Sequence, residues 1–420
     1  MHILILGQCY APENVSAAVL IAELASDLVR RGHRVTVATG APSYPHGRVF
    51  DGYRNGLFSS ETLDGVRVIR TWSYISPSKR VLPRLLHYGT YSATAFYGGL
   101  LAGRPDVILS FSPPLPLGLS AWALSRIFRV PWALQLEDLY PDAAIAAGVM
   151  TNRVLVNFFL GMEAFLYRRA QRISVISKSF QQTLLTKGVA GSKIEFIPTW
   201  ADPNEVRPME KENAFRRAHG LEHKFVVMYA GNIGLTSCLE DALGAAEILR
   251  DRSDIQFVVV GEGVRKDALM EASRERGLTN VRFLPFQPRE NFAEMLAAAD
   301  LSLVMLNAGA ALSSLPSKIF NVMASARPVL AATPPGSELM QIVESAACGW
   351  TVPPGAPDRL AEAVVQLKDR ESDLVQMGKN GRACLEKNYS RAQCVEKFEN
   401  MLTALCRQTQ AQAKTIQEVP

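Results

Sequence analysis

Two short segments of this 420-residue chain combine residue types that do chemistry. The first is Glu137-Asp138-Leu139-Tyr140-Pro141-Asp142, three carboxylates placed directly after the apolar run 132–135. Carboxylates at the end of a buried strand can orient a hydroxyl or take a proton, and Asp138, with Glu137 beside it, is the foremost candidate. The competing reading is a solvated loop in which Asp142 caps a helix. The second segment is Leu315-Pro316-Ser317-Lys318-Ile319-Phe320-Asn321. Its lysine falls in the first turn of a predicted helix, where the helix dipole favours negative charge. A cation there is explained by an anion that the helix start also attracts, and a diphosphate fits. The competing reading is a chance surface position.

Two further loops are weaker signals. Gly231-Asn232-Ile233-Gly234 is small enough for backbone to approach a phosphate. Gly7-Gln8-Cys9-Tyr10-Ala11-Pro12-Glu13-Asn14 joins a strand to a helix start, which favours an anion. Neither loop is G-x-G-x-x-G, and the second strand ends Ala38-Thr39-Gly40 without an acidic residue, which argues against a nicotinamide enzyme. The sequence has no D-x-D triplet and no His, Cys and carboxylate cluster at metal-ligand spacing. No metal site or cofactor is therefore expected. The charge of a leaving diphosphate would fall to Lys318, an arginine and helix N-termini.

The elements that must position these residues alternate almost throughout, the signature of parallel sheets wrapped by helices. In the first half, strands are predicted at 2–7, 34–39, 66–70, 107–110, 132–135, 173–176 and 194–198. Helices are predicted from Ser16, as a cap, to Arg31 and at 83–101, 117–128, 152–169 and 179–187. A polar, proline-bearing stretch at 199–222 reads as a linker. The second half repeats the pattern. Strands are expected at 225–230, 255–260, 281–284, 301–306 and 328–332, and helices at 239–250, 264–276, 290–298, 317–325 and 337–345. Helices continue from 357 to 408, and the polar remainder reads as a frayed tail. The expected domains are 1–200 and 223–385, a linker at 201–222, a C-terminal helix at 386–408 that crosses back to the first domain, and a tail at 409–420.

Bulk properties narrow the class. Charge is uneven: residues 1–198 hold 20 Lys and Arg against 12 Asp and Glu, whereas residues 199–420 hold 25 against 28. A basic first half suits an anionic membrane surface, a diphosphate-linked lipid or a nucleic acid, or is merely solvated. The basic residues are not interleaved with aromatics in a nucleic-acid module, so no nucleic-acid partner is expected. Six cysteines without C-x-x-C spacing read as free thiols in a reducing, cytoplasmic setting. The longest apolar stretch, 85–101, carries too many hydroxyls to span a membrane. With Lys79, Arg80 and Arg84 before it, it would lie on a membrane surface or be an ordinary buried helix.

Taken in order, five segments resemble the family 4 glycosyltransferases of the GT-B fold, and more narrowly the WbuB/WcaI-type transferases of bacterial surface-polysaccharide assembly. They are Met1–Asn14, Glu137–Asp142, Tyr229–Gly234, Leu315–Lys318 through Ala326-Arg327-Pro328-Val329, and Gly336–Leu339 with Cys348-Gly349-Trp350 through Gly355. The resemblance implies two Rossmann-like, doubly wound α/β domains facing across a cleft, with acceptor bound by the first and a nucleoside-diphosphate sugar, of UDP or GDP type, by the second. It implies metal-independent transfer with retained configuration. The acceptor would be a polyprenyl-diphosphate-linked saccharide at the inner membrane face. The sugar would be a deoxy or N-acetylated deoxy sugar, the product O-antigen or exopolysaccharide. Asp138 and Glu137 would lie near the transferred sugar. Lys318, with Ser317, Asn321, Gly231, Asn232 and Gly234, would contact the donor, and Glu262 and Gly263 its base or ribose. Tyr10, Pro12, Glu13 and Asn14 would approach the diphosphate or acceptor. Two departures stand out. The glutamate pair seven residues apart found in many members is Ser313 and Asn321 here, and Leu235-Thr236-Ser237-Cys238 lacks the basic or amide residue usual after the glycine turn. The alternatives are a sugar-nucleotide epimerase on the same fold and an inactive sugar-nucleotide-binding partner in an assembly complex.

Overall fold

The computed structural model describes residues 1–78, 80–146, 148–310 and 315–417. The chain divides into two compact units, Met1–Pro198 joined by the chain from Cys394 onward, and Thr199–Gln393.

The first unit is built on β1 (His2–Leu6), β2 (Arg34–Gly40), β3 (Phe58–Leu63), β4 (Val66–Thr71), β5 (Val107–Ser112), β6 (Trp132–Leu136), β7 (Arg172–Val175) and β8 (Ile194–Phe196). They form one sheet in the order β3-β4-β2-β1-β5-β6-β7-β8. Every pairing is parallel except β3 with β4. Strands β1, β5 and β6 are buried along their whole length, as a sheet covered on both faces requires. The hairpin β3–β4 was not expected from the sequence. It turns through Asp64 and Gly65, both at positive φ, the Asp-Gly signature of a tight two-residue turn. The first helix begins at Ser16 itself, so that Val15, not Ser16, holds the cap position.

The second unit carries β9 (Phe225–Ala230), β10 (Ile255–Val260), β11 (Val281–Leu284), β12 (Leu301–Met305), β13 (Val329–Ala332) and β14 (Gly349–Val352). All are parallel, in the order β11-β10-β9-β12-β13-β14. Hydrophobic clusters fill both faces of this sheet, one around Met228, Val258 and Phe320, the other around Tyr229, Phe257 and Leu303.

The expected linker at 201–222 is instead part of the second unit. Val206, Phe215 and Leu221 are buried in its core, and Ala214–Ala218 is a helical turn. The polar residues that suggested a linker make a buried network. Arg216 donates through Nε to Ala298 O (2.8 Å) and pairs with Asp300, which also accepts from Val226 N (2.7 Å) and Lys211 Nζ (2.7 Å). The last helix, Arg391–Gln417, runs past residue 408, where a frayed tail was expected; Gln, Ala and Lys are good helix formers and no Gly or Pro interrupts them before 417. Cys394, Phe398, Met401 and Leu405 give it a buried stripe at helical spacing within the first unit, where Glu399 also meets Arg31 (2.7 Å) and His33 (2.8 Å).

In each unit one central strand marks the point where strand order reverses. It is β1, between β2 and β5, in the first, and β9, between β10 and β12, in the second. In open parallel sheets ligands bind beyond the carboxyl ends of the strands at that point. The loops there are Gly7–Val15 in one unit and 231–238, with the described residues 306–310 and 315–317, in the other.

Candidate active site

In the second unit the carboxyl end of β9 is built from glycines that let backbone meet backbone. Gly261 and Gly263, both at strongly positive φ, pack so tightly that a Cβ would stand 1.9 Å from Gly231 O and 2.2 Å from Ile233 O. Ile233 N donates to Glu262 O (2.8 Å), and Asn307 Nδ2, after β12, donates to Leu235 O (3.0 Å). The turn Gly231–Gly234 is therefore fixed from both sides.

Lys318 opens the short helix Lys318–Ala324 and reaches this turn from the β12 side. Its Nζ lies 3.5 Å from the centroid of the Tyr229 ring, has no hydrogen-bond partner and is closed off from solvent. A Cβ on Gly231 would stand 2.8 Å from it. Burial alone pushes its pKa down to about 7. An ammonium without an acceptor beneath a glycine turn is costly unless an anion completes it. Asn321, one turn further along, shares a water-sized cavity with the lysine stem. Tyr229 OH donates to Asn232 O (2.6 Å), leaving the Asn232 side chain exposed. Of the remaining donor candidates, Ser317 precedes the helix but makes no side-chain capping bond. Glu262 is turned to Lys266 Nζ (2.6 Å), one helical turn on. Ser313 lies outside the described residues. A cavity of about 510 Å³ lies elsewhere, between Asp300, Pro328 and Leu374 at the amino ends of β12 and β13. Most of its charged lining is committed to the pairs Lys211–Asp300 and Arg382–Glu386.

In the first unit the four loop candidates divide. Tyr10 and Glu13 are buried, whereas Pro12 and Asn14 are exposed. Glu13 Oε1 accepts from Ser43 N (2.9 Å) and Tyr44 N (2.8 Å), so its carboxylate braces the loop from inside. Arg70 adds a second brace: it is buried, paired with Glu61, and donates to Ala11 O and Gly40 O.

Beyond β6 the carboxylates also separate by role. Gln135 Nε2 donates to Glu137 Oε1 (2.9 Å), while Ser174 Oγ donates to Gln135 Oε1. Burial pushes Glu137 up to about 7, with Asp138 adding to the rise. Asp138 is pushed by burial to about 6, opposed by the charge of Arg84. Carboxyls that titrate near neutrality suit general acid–base work. Asp142 is not part of this pair; it meets Lys187 Nζ (2.7 Å), which also holds the buried Glu163 (2.7 Å). Arg84, on the helix Val81–Leu101, donates to Tyr88 OH (2.8 Å), and its charge acts on both Tyr140 and Asp138. In sequence, Arg84 precedes a stretch that reads as a membrane-surface or an ordinary buried helix, and Tyr229 reads as part of the strand 225–230 and of the resembling segment Tyr229–Gly234. Their roles at the site have no local signal, because Arg84 acts on Asp138, and Tyr229 meets Lys318, across the fold. Among the described residues no group of three His, Cys, Asp or Glu is placed to share a metal ion.

Comparison with known proteins agrees with this architecture. The model of the glycosyl transferase 4-like domain matches residues 17–200, and that of the glycosyl transferases group 1 matches residues 211–383. The chain is 29% identical over 354 residues to the putative colanic acid biosynthesis glycosyl transferase WcaI of Escherichia coli (strain K12), covering 82% of this chain and 86% of that one. Sucrose-phosphate synthase from Thermosynechococcus elongatus superposes with a TM-score of 0.76 at 17% identity, covering 96% of this chain and 99% of the other. Anabaena HepE, solved with UDP and glucose, superposes with a TM-score of 0.71 at 17% identity, over 96% and 100%. With a 4-like domain followed by a group 1 domain along most of its length, and a parallel α/β sheet in each half as in GT-B structures, this chain belongs to the family 4 glycosyltransferases.

Proposed function

We propose that the chain moves a sugar from a nucleoside diphosphate, of UDP or GDP type, to a lipid-linked saccharide during surface-polysaccharide synthesis. The observation that carries the donor assignment is the dry Lys318 ammonium lying against the Gly231–Gly234 turn at the switch point of the second unit. A diphosphate laid across that turn would supply the acceptor that Lys318 lacks, and the ammonium would meet the negative charge that grows on the diphosphate as its bond to the sugar breaks. Asn232 and Asn321 offer neutral donors beside it, and Ser317, Gly263 and Glu262 border the same strand ends. UDP in HepE and the colanic acid named for WcaI support the donor and the pathway class. Transfer proceeds with retention and without a metal, the diphosphate leaving as the acceptor oxygen bonds the anomeric carbon.

Asp138 is the group we assign to the acceptor hydroxyl, orienting it and taking its proton, with Glu137 behind it. The acceptor side opens on an apolar and basic face of the first unit. Leu82, Leu86, Val154 and Phe158 are 66%, 45%, 79% and 60% exposed. Arg80 and Arg153 flank them. Tyr140 packs edge-on against Phe159 (ring centroids 5.9 Å), and the charge of Arg84 acts on both Tyr140 and Asp138, which links this face to the carboxylate. Among the described residues no helix is long and apolar enough to cross a membrane. Peripheral contact with the anionic inner face of a bilayer fits such a surface.

Thermal unfolding against a panel of nucleoside diphosphates tests the donor assignment. Stabilisation by UDP or GDP that is lost in Lys318→Ala supports it, about 2.7 kcal/mol at a hundredfold excess over Kd. Equal stabilisation of both proteins, or of neither, refutes it. Incubation with donor alone separates the epimerase alternative, which would alter the sugar without an acceptor.

A further inference from the structure

We infer that Tyr229 is a positioning residue of the donor site: its ring stores the Lys318 amine beneath the Gly231–Gly234 turn, from which a diphosphate draws it. The inference rests on the donor reading above and adds to it how the cation is kept and released.

Three features carry it. Lys318 Nζ is centred on the ring at 3.5 Å, the geometry of a cation–π contact, and has no other polar partner. The ring itself is immobilised, since Tyr229 is fully buried in β9 and its hydroxyl is tied to Asn232 O at 2.6 Å. The same side chain therefore fixes both the lysine and the turn above it. Finally, Gly231 leaves only a Cα over the amine, and any Cβ would crowd Nζ at 2.8 Å. The turn is thin at the point where the amine must pass.

The store is also dry. Along the lysine stem, β9, β12, the helix Phe292–Ala297 and the lysine's own helix contribute uncharged side chains, Ser302 and Asn321 being the polar ones. Tyr229 is the titratable group packed against the amine among the described residues, and its own ionisation is pushed up by burial. With burial holding the amine down to about 7, a diphosphate that needs the charged form must take up a proton on binding above that pH. Once the amine faces the anion, its pKa returns toward the ordinary lysine range. Donor affinity then falls about tenfold per pH unit between 7 and that higher value.

The test uses the full chain, titrated calorimetrically with UDP and GDP between pH 6.5 and 9.5 in two buffers of different ionisation enthalpy. Wild type is expected to take up between about half a proton and one proton at pH 8. Tyr229→Leu, which removes the ring's stabilisation of the protonated amine, is expected to raise Kd and donor KM at least tenfold with a smaller effect on kcat, and to move the fall in affinity downward by more than one pH unit. Tyr229→Phe, which keeps the ring, should recover most of that loss. Wild-type affinity and pH profile in Tyr229→Leu would overturn the inference. So would zero proton uptake by wild type at pH 8, a measurement that stands even if the leucine variant does not fold. Undiminished nucleotide binding by Lys318→Ala, in contrast, would overturn the donor reading itself.

Discussion

Replacing Lys318 with methionine should make the protein more stable and unable to hold its donor. The lysine is held near pKa 7 rather than 10.5 by burial, a difference of about 3.5 units. At about 1.4 kcal/mol per unit, keeping the protonated amine dry at neutral pH costs about 5 kcal/mol. The Tyr229 ring returns about 2 kcal/mol of that, and partial exposure of the lysine stem lowers the remainder. A methionine of similar length keeps the stem packing and removes the charge, so Lys318→Met should gain about 2 kcal/mol. That gain corresponds to a rise of about 4–8 °C in Tm for a unit of this size. The sign of the pH dependence is specific. Between pH 7 and 10.5 the folded chain binds fewer protons at this site than the unfolded chain, so wild-type stability rises with pH across that window. The advantage of Lys318→Met is therefore largest at pH 7 and below and shrinks toward pH 10. Urea unfolding of both proteins at pH 7 and 9, with and without UDP and GDP, reads all of this. A variant less stable than wild type at pH 7, or one with the same advantage at both pH values, would refute the reasoning.

Asp138→Asn should lower transfer by 100-fold or more while leaving nucleotide binding intact, because a positioned base contributes about 10²–10⁴; steady-state kinetics with donor binding measured separately checks it. Since Asp138 is pushed up to about 6, wild-type kcat/KM should rise with pH through that value as the carboxylate forms, and the rise should vanish in Asp138→Asn. Arg216→Ala leaves the buried Asp300 with Lys211 as its remaining cation and removes the donor to Ala298 O, and should cost about 3 kcal/mol in an unfolding titration. Leu82→Glu with Phe158→Glu should weaken sedimentation with anionic lipid vesicles at least tenfold without changing nucleotide binding, as expected when exposed apolar side chains rather than the core are altered.

Much of the fold was legible because parallel strands buried on both faces leave long apolar runs, as in Phe225–Ala230 and Ile255–Val260. The boundary between the units was not. Arg216 and Lys211 look like linker charges in sequence and become a buried network only through Asp300, more than eighty residues away. The hairpin after Leu63 did carry its signal, Asp64-Gly65, but its exposed strand Phe58–Leu63 lacks an apolar run. At the candidate site, Lys318, the Gly231 turn and Asp138 were visible as unusual residues at strand ends. Their surroundings were not: the ring under Lys318, the Arg84 charge near Asp138 and the inward turn of Glu13 all depend on packing across elements.

The most direct measurement is transfer itself. Wild type, Lys318→Ala and Asp138→Asn would each be incubated with a panel of UDP- and GDP-sugars and a polyprenyl-diphosphate-linked saccharide in detergent, and the lipid product weighed by mass spectrometry. The account predicts one added sugar from wild type, with little or no product from either variant, and a metal chelator that changes nothing. A donor consumed as fast by Lys318→Ala as by wild type, or nucleotides bound by wild type with no sugar moved to any acceptor, would contradict it.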